Sequence, residues 1–281
     1  NRQGGGLSAP ALTTKDREDL VHALANDADY IAVSFPRNAA DIDNARKLIQ
    51  EAGGHAGIIA KIERAEALIN ADEIIAASDC IMIARGDLGV EIGDERLPPA
   101  QKMLVARARA QHRSVITATQ MMDSMIERSM PTRAEVFDVA NAVLDGTDAV
   151  MLSGETSIGA YPDLAVAAMS RICMGAEDEW KSPPGALETK SDYERVDQAI
   201  AMSAIDCGNR IGVKAIAALT ESGATALWMS RVNTDIPIFA LSRHPHTLRK
   251  VTLYRDVYPQ HFDITPLPHS EVTREVLNVI K

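Results

Sequence analysis

Eight side chains of this sequence have the types and spacing to do chemistry together: Ser34, Lys61, Glu63, Arg85, Asp87, Thr119, Ser153 and Glu155. They lie at the ends of five short apolar runs: IAVSF (Ile31–Phe35), IIAKIE (Ile58–Glu63), IMIARGD (Ile81–Asp87), VITATQ (Val115–Gln120) and VMLSGET (Val150–Thr156). In AKIE, strand alternation puts Lys61 and Glu63 on one face, about 7 Å apart. A surface ion pair is the plainer reading. The preceding GIIA is apolar enough to be buried, however, and a lysine and a glutamate that follow a buried strand face a site. In ARGDLG, Gly86 and Gly89 permit a sharp turn with close backbone approach, and Asp87 points to the same rim. Alone, Asp87 reads equally well as a turn carboxylate. Paired with Glu63 from the adjacent strand, it offers two oxygen ligands with open positions, which suits Mg2+ or Mn2+. No His or Cys closes a run, so zinc is not expected. Thr119 reads as a site group or as a helix cap. Ser153 and Glu155, with a glycine between them, are a weak signal by themselves.

Parallel strands are the elements that must position these groups. The run starts lie 27, 23, 34 and 35 residues apart, which leaves room for one helix and two loops each time. That is the spacing of successive βα units, and parallel strands gather function at their carboxyl ends. The segments between carry helix signals. Thr13 and Thr14 can cap KDREDLVHALAND, with Leu20, Val21, Leu24 and Ala25 facing inward. DIDNARKLIQEAGG puts Ile42, Ala45, Ile49 and Ala52 on one face and stops at Gly53–Gly54. AEALINADEIIAASD, LPPAQKMLVARARAQH with its early prolines, RAEVFDVANAVLDG and DLAVAAMSRICMGAEDEW supply the remaining helices. The Met-rich tail of TATQMMDSM reads as helix core, and Arg133 as a structural or subunit-contact residue.

Residues 181–195, KSPPGALETKSDYER, are polar and rich in Pro, Gly and Ser. They read as a connection between a first domain, 1–180, and a second, 196–281. The second repeats the α/β pattern: a helix near Val196–Ile211, strand AIAALT, loop ESGAT, helix ATALWMSRV, strand PIFALS, helix HTLRKVTLY, then VYPQHF and a last amphipathic helix, SEVTREVLNVI.

Composition narrows the class. A chain of 281 residues suits one to two domains, and 46% hydrophobic residues suffice for a large core. Aromatics are only 4%, so packing rests on Ala, Ile, Leu, Val and Met. No apolar run reaches the ~18 residues of a membrane span, and NRQGGGLSAP lacks the apolar centre of a signal peptide. Cys80, Cys173 and Cys207 show neither metal nor disulfide spacing, which fits reduced thiols in a cytoplasmic protein. A net charge of −10 speaks against nucleic acid as a main partner, while local fields still allow anionic metabolites. Five βα units cannot close an eight-stranded barrel. Either the sheet is open and five-stranded, or further strands lie upstream. The glycine-rich start and the final helix both read as cut ends.

Several phrases, taken together, resemble pyruvate kinases: LTTKD, AVSFPR, AKIERAEAL, ASDCIMIARGDLGVEIG, VITATQMMDSM, PTRAEVFDVANAVLDGTDAVMLSGETSIGAYP, then LTESGATA and IFALSRHPHTLRKVTLYRDVYP. The resemblance runs from Gly4 to about Phe262 and is strongest to the bacterial enzymes. It is most specific in the order of ARGDLG, ATQM and MLSGET, whereas ITPLPHSEVTREVLN matches weakly. It implies a (β/α)8 TIM barrel followed by a carboxyl-terminal α/β regulatory domain. Barrel strands four to eight would be in this chain; strands one to three and a lid domain would lie upstream, and two regulatory-domain strands downstream. It further implies transfer of the phosphoryl group of phosphoenolpyruvate to ADP, giving pyruvate and ATP in glycolysis. The implied cofactors are Mg2+ or Mn2+ and K+, with the K+ ligands upstream. The implied assembly is a homotetramer under a phosphorylated allosteric effector. This stretch alone is then expected to be inactive.

Residue by residue, Lys61 matches the family lysine beside the transferring phosphoryl group and the enolate oxygen, and Glu63 and Asp87 match the divalent-metal ligands. The backbone of Arg85, Gly86 and Asp87 matches the turn that receives the substrate carboxylate at a helix amino terminus. Thr119 matches the threonine near the carbon that is protonated; Ser153 and Glu155 match a strand end implicated in proton relay; Ser34 and Phe35 match a strand end lining the pocket. In the second domain, TESGAT resembles an effector-phosphate loop, with Thr220, Ser222, Gly223 and Thr225 as its groups. Ala224 stands where many relatives carry a basic residue, so a sugar monophosphate or nucleotide suits the loop as well as a bisphosphate. Two other readings share these residues. One is a metal-dependent pyruvate aldolase on a similar barrel, whose sequences lack SGET and the second domain. The other is a non-enzymatic effector-binding protein. Dependence on a nucleotide separates kinase from aldolase.

Overall fold

The computed structural model describes residues 12–179, 193, 195–232 and 234–280. They fall into two compact units divided between residues 180 and 181. The glycine-rich amino-terminal segment and, Tyr193 and Arg195 apart, the connection expected over 181–195 lie outside the described residues.

The first unit alternates helix and strand. It runs α1 (Thr14–Ala25), β1 (Tyr30–Val33), α2 (Ala39–Glu51), β2 (Gly57–Ile62), α3 (Ala65–Ile69), α4 (Ala71–Ala77), β3 (Cys80–Ala84), α5 (Arg85–Ile92), α6 (Leu97–Ala110), β4 (Ser114–Ala118), α7 (Arg133–Asp145), β5 (Ala149–Met151), α8 (Gly154–Ser157) and α9 (Pro162–Glu179). All five strands pair in parallel in the order β1-β2-β3-β4-β5. Every residue of β3 and β4 is buried, as expected where helices cover a parallel sheet. Ile42, Ile58, Ile62, Ile74, Ile75, Ile81, Ile83, Leu88 and Leu104 form the fully buried centre. The register fixes the rim. Val33 pairs with Ala60, so Ser34 follows level with Lys61; Ile62 pairs with Ile83, so Glu63 follows level with Ala84.

Local sequence explains most boundaries. Thr13 caps α1 in a reciprocal box with Asp16, and Thr132 does the same for α7 with Glu135. Gly146 ends α7 in the left-handed conformation that glycine adopts without a Cβ penalty. Four expectations need correction. Val21 is 54% exposed and Ala25 is exposed; Leu20 and Leu24 carry the inner face of α1. Ala52 is exposed because α2 has already ended at Glu51. AEALINADEIIAASD is two helices rather than one, broken at Asn70, whose side-chain amide donates to the Arg37 carbonyl at 2.8 Å. Met121, Met122 and Met125 are core, but only Met125 is helical, in the short 3-10 helix Asp123–Ile126; Met121 and Met122 lie in the bend after β4. All three are fully buried, packed on Val139, Ala142, Ala165 and Ala168.

The second unit runs α10 (Val196–Ile211), β6 (Ile216–Leu219), α11 (Ala224–Ser230), β7 (Ile238–Ser242), α12 (Pro245–Val251), β8 (Val257–His261) and α13 (His269–Val279). Its three strands are parallel in the order β6-β7-β8, so VYPQHF is a strand. Ala201, Ile205, Ala226, Ile238, Ala240 and Val251 form its fully buried core. Among the described residues, no helix is long and apolar enough to cross a membrane.

Candidate active site

The carboxyl ends of the five strands carry three connected clusters. The first joins β1 and β2. Lys61 Nζ lies 2.6 Å from Glu63 Oε1 and donates to Ser34 Oγ at 3.0 Å. The two side chains expected on one face therefore fold toward each other as an ion pair. Glu63 is 1% exposed and the Lys61 side chain 25%. Glu63 Oε2 accepts the Phe35 backbone N–H at 2.8 Å, and that bond fixes Phe35 at a left-handed φ of 54°. Arg64, itself buried, stacks its guanidinium 5.3 Å from the Phe35 ring centroid. Removing Lys61 would strand a buried carboxylate, a change that costs about 3–5 kcal/mol in such pairs.

The second cluster joins β3 and β4. β3 passes directly into α5, so the expected turn at ARGDLG is the first turn of a helix. Asp87 sits there, half-buried, where a carboxylate is favoured by the helix dipole. The Gly86 N–H donates to Thr119 Oγ1 at 2.7 Å, and Thr119 Oγ1 donates to the Ala118 carbonyl at 2.7 Å. Thr119 and Gln120 both have positive φ, 66° and 53°. Such a residue costs about 1–3 kcal/mol and persists only where its surroundings over-determine it. Here the surroundings are the Arg85 side chain. It donates to the Thr119 carbonyl through Nε at 3.1 Å and Nη2 at 3.0 Å, and to the Gln120 carbonyl through Nη2 at 2.8 Å. Arg85 is 5% exposed and also binds Asp138.

The third cluster joins the β4 and β5 ends. Glu155, in the four-residue helix α8, is 1% exposed. Its Oε1 accepts the Met122 N–H at 2.9 Å and its Oε2 the Ser153 N–H at 2.7 Å. Both oxygens are thus engaged by backbone donors. Partial burial, then the charges of Glu155 and Glu135, push the nearby Asp123 carboxyl above its ordinary value, against an opposing pull from Arg85.

A divalent cation suits this rim in one respect that the chain itself displays. Glu63 Oε1 is a hard, buried oxygen whose partner is the Lys61 ammonium at 2.6 Å, with no backbone donor on it. Among the described residues no group of three or more His, Cys, Asp or Glu gathers as a cage.

Comparisons with known proteins identify the family. The family profile Pyruvate kinase, barrel domain, matches residues 1–166, and Pyruvate kinase, alpha/beta domain, matches 198–281. The chain belongs to the pyruvate kinase family. It is 56% identical to pyruvate kinase II of Salmonella typhimurium over 267 residues, covering 94% of this chain and 56% of that protein. It is 52% identical to the pyruvate kinase of Haemophilus influenzae over 278 residues, covering 98% and 57%. A solved pyruvate kinase from Cryptosporidium parvum superposes with a TM-score of 0.94 at 39% identity, covering 99% of this chain and 59% of that one. The chain therefore spans a little over half the length of these relatives. Its two parallel sheets are those of a (β/α)8 barrel, represented here by five strands, and of the α/β domain that follows it in pyruvate kinases.

The second-unit loop expected to bind an effector is internally bonded. The Gly223 N–H donates to Thr220 Oγ1 at 2.9 Å, and the Ala224 N–H to Ser222 Oγ at 3.4 Å. Gly223 has φ 86°, and a Cβ there would sit 2.7 Å from Val251 Cγ1. The loop carbonyl of Glu221 accepts Thr247 Oγ1 at 2.6 Å. His244 and, within the same reach, Arg243 engage the Glu221 carboxylate, which holds its pKa below the usual range. The loop, with Leu241, Ser242, Arg243, Phe262 and Ile264, borders a cavity of about 170 Å³ at the strand ends. Thr225 lies in the first turn of α11.

Sequence reasoning missed Asp138, Gln101 and Arg64. Asp138 reaches the rim from α7, 53 positions along the chain from Arg85. No local pattern marks it; only its helical phase relative to Phe137 and Val139 is legible.

Proposed function

We propose that the full-length protein transfers the phosphoryl group of phosphoenolpyruvate to ADP, giving pyruvate and ATP. The observation that carries this reading is the Lys61–Glu63 pair at a buried strand end, beside the amino terminus of α5, in a chain of the pyruvate kinase family. A β-phosphate oxygen of ADP attacks phosphorus, the bond from phosphorus to the enol oxygen breaks, and that oxygen keeps the electron pair. A proton then adds to the methylene carbon. Such a reaction needs positioning and charge neutralisation more than covalent help from the protein.

Lys61 carries a positive charge on a strand end and is the group to oppose the phosphoryl and enolate oxygens. Ser34 orients its ammonium, and the substrate competes with Glu63 for it. The first turn of α5, at Arg85, Gly86 and Asp87, receives the carboxylate of the substrate through backbone donors. The Gly86 N–H, now held by Thr119 Oγ1, is then shared or released. Thr119 stands on the proton side, with Ser153 and the buried Glu155 shaping that path. Glu63 and Asp87 would hold Mg2+ or Mn2+, which would supply charge neutralisation for the phosphoryl group; K+ is the second cofactor of this reading. In the second unit, Thr220, Ser222, Gly223 and Thr225 form the loop for a phosphorylated effector.

The test is pyruvate formation from phosphoenolpyruvate by the full-length protein, followed through NADH consumption by lactate dehydrogenase. Activity should require ADP. Absence of any ADP-dependent pyruvate overturns the proposal, and nucleotide-independent aldol cleavage would favour the pyruvate aldolase reading instead.

A further inference from the structure

We propose that the Arg85 side chain is a positioning residue that holds Thr119 and, through it, the Gly86 amide in their working geometry. This rests on the phosphoryl-transfer reading, but it assigns the side chain a role distinct from the backbone contact expected of Arg85.

The argument starts from the two residues that follow β4. Two consecutive non-glycine residues with positive φ do not hold themselves. Turning Thr119 and Gln120 into that region aims both carbonyls at one point inside the protein. Arg85 fills the point, with three donor contacts to the two carbonyls. Its far side is anchored on α7: Nη1 donates to Asp138 Oδ1 at 2.9 Å, Nη2 lies 2.7 Å from Asp138 Oδ2, and Nη1 also reaches Gln101 Oε1 at 3.4 Å. The guanidinium fork thus ties the start of α5, the end of β4 and the face of α7 together. The consequence on the rim is specific. With its carbonyl pinned, Thr119 places Oγ1 2.7 Å from the Gly86 N–H, at the helix start that faces the substrate. A Lys at position 85 keeps the charge but has a single nitrogen, which cannot span two carbonyls and a carboxylate in one plane.

The experiment is a double-mutant cycle in the full-length protein, using Arg85→Lys, Thr119→Ala and both together. Alone, Arg85→Lys should lower turnover roughly 10- to 100-fold, the scale of a misplacement of about 1 Å. Added to Thr119→Ala, it should change turnover by no more than two- to threefold, because the group it positions is already gone. Independent, multiplying effects overturn the proposal.

A second measurement needs no catalysis: the methyl resonance of Thr119 in threonine-labelled protein. It should shift or broaden in Arg85→Lys while Thr225 stays put, and an unmoved Thr119 signal also overturns the proposal. If the wild-type protein makes no pyruvate, the kinase reading has failed and this signal alone decides the clamp. If Arg85→Lys does not fold, Asp138→Asn replaces it in the same cycle, since that side chain is 41% exposed and removes only the anchor. An Asp138→Asn protein with unchanged turnover and an unchanged Thr119 signal would then leave Arg85 a purely structural residue and sink the assignment.

Discussion

Replacing Glu155 by Gln changes one atom and tests how the end of β5 is held. In the structure the carboxylate accepts two backbone donors, Met122 N–H and Ser153 N–H, at 2.9 and 2.7 Å, and the residue is 1% exposed. Gln presents one oxygen and one NH2 to the same two donors. One backbone N–H keeps a neutral acceptor, and the other meets a donor. A buried donor left without an acceptor costs about 1–3 kcal/mol, and the surviving bond loses its charge assistance. The sum is about 2–3 kcal/mol, localised to the loops after β4 and β5. Hydrogen exchange reads this directly, because those loops open locally rather than with the whole unit. The amides of Met122 and Ser153 should exchange roughly 30- to 150-fold faster in Glu155→Gln, at about tenfold per 1.4 kcal/mol. Amides of β3, whose ladder does not touch Glu155, serve as the internal control. Less than about a threefold change at both amides would refute the reasoning, because a carboxylate that only occupies space is replaced by an isosteric amide without cost.

Three further outcomes follow from the same geometry. Lys61→Met in the full-length protein should cut turnover by about 10²–10³-fold, the scale of one preorganised charge, with a smaller change in the Michaelis constant for phosphoenolpyruvate; near-normal turnover with only a raised Michaelis constant would show that Lys61 merely binds. Asp123→Asn should raise Tm near neutral pH. Partial burial and then Glu155 and Glu135 raise that carboxyl, so its contribution favours the fold below the unfolded value of about 3.8 and is lost as pH rises through the folded value. The gain should vanish near pH 3 in the same thermal scans, and a gain that persists there would point to a cause other than charge. Thr225→Glu places a carboxylate at the first turn of α11 and should abolish activation by the phosphorylated effector while leaving basal turnover intact; activation with unchanged half-saturation would place the effector elsewhere.

The alternation of apolar runs with helix signals was sufficient for the sequence to determine the parallel α/β architecture, the strand ends and the rim. Hydrophobic periodicity and capping are local: Thr13 with Asp16, Thr132 with Glu135 and Gly146 at the end of α7 each act within a few residues. The motifs AKIE, ARGDLG, VITATQ and MLSGET are enough to put Lys61, Glu63, Asp87, Thr119 and Glu155 at the strand ends. What only tertiary structure decided is how those groups are held. Whether Lys61 and Glu63 stand apart or pair at 2.6 Å depends on Phe35, 28 positions from Glu63, which takes the other carboxylate oxygen. Whether Val21 faces the core depends on which helix face α1 presents to its neighbours, and the sequence offered two adjacent apolar choices. Arg85 reads in the sequence as the opening of a helix. Its work as a clamp appears only where α7 brings Asp138 against the β4 end, because a hydrogen bond across 53 positions leaves no periodic trace in the chain that makes it.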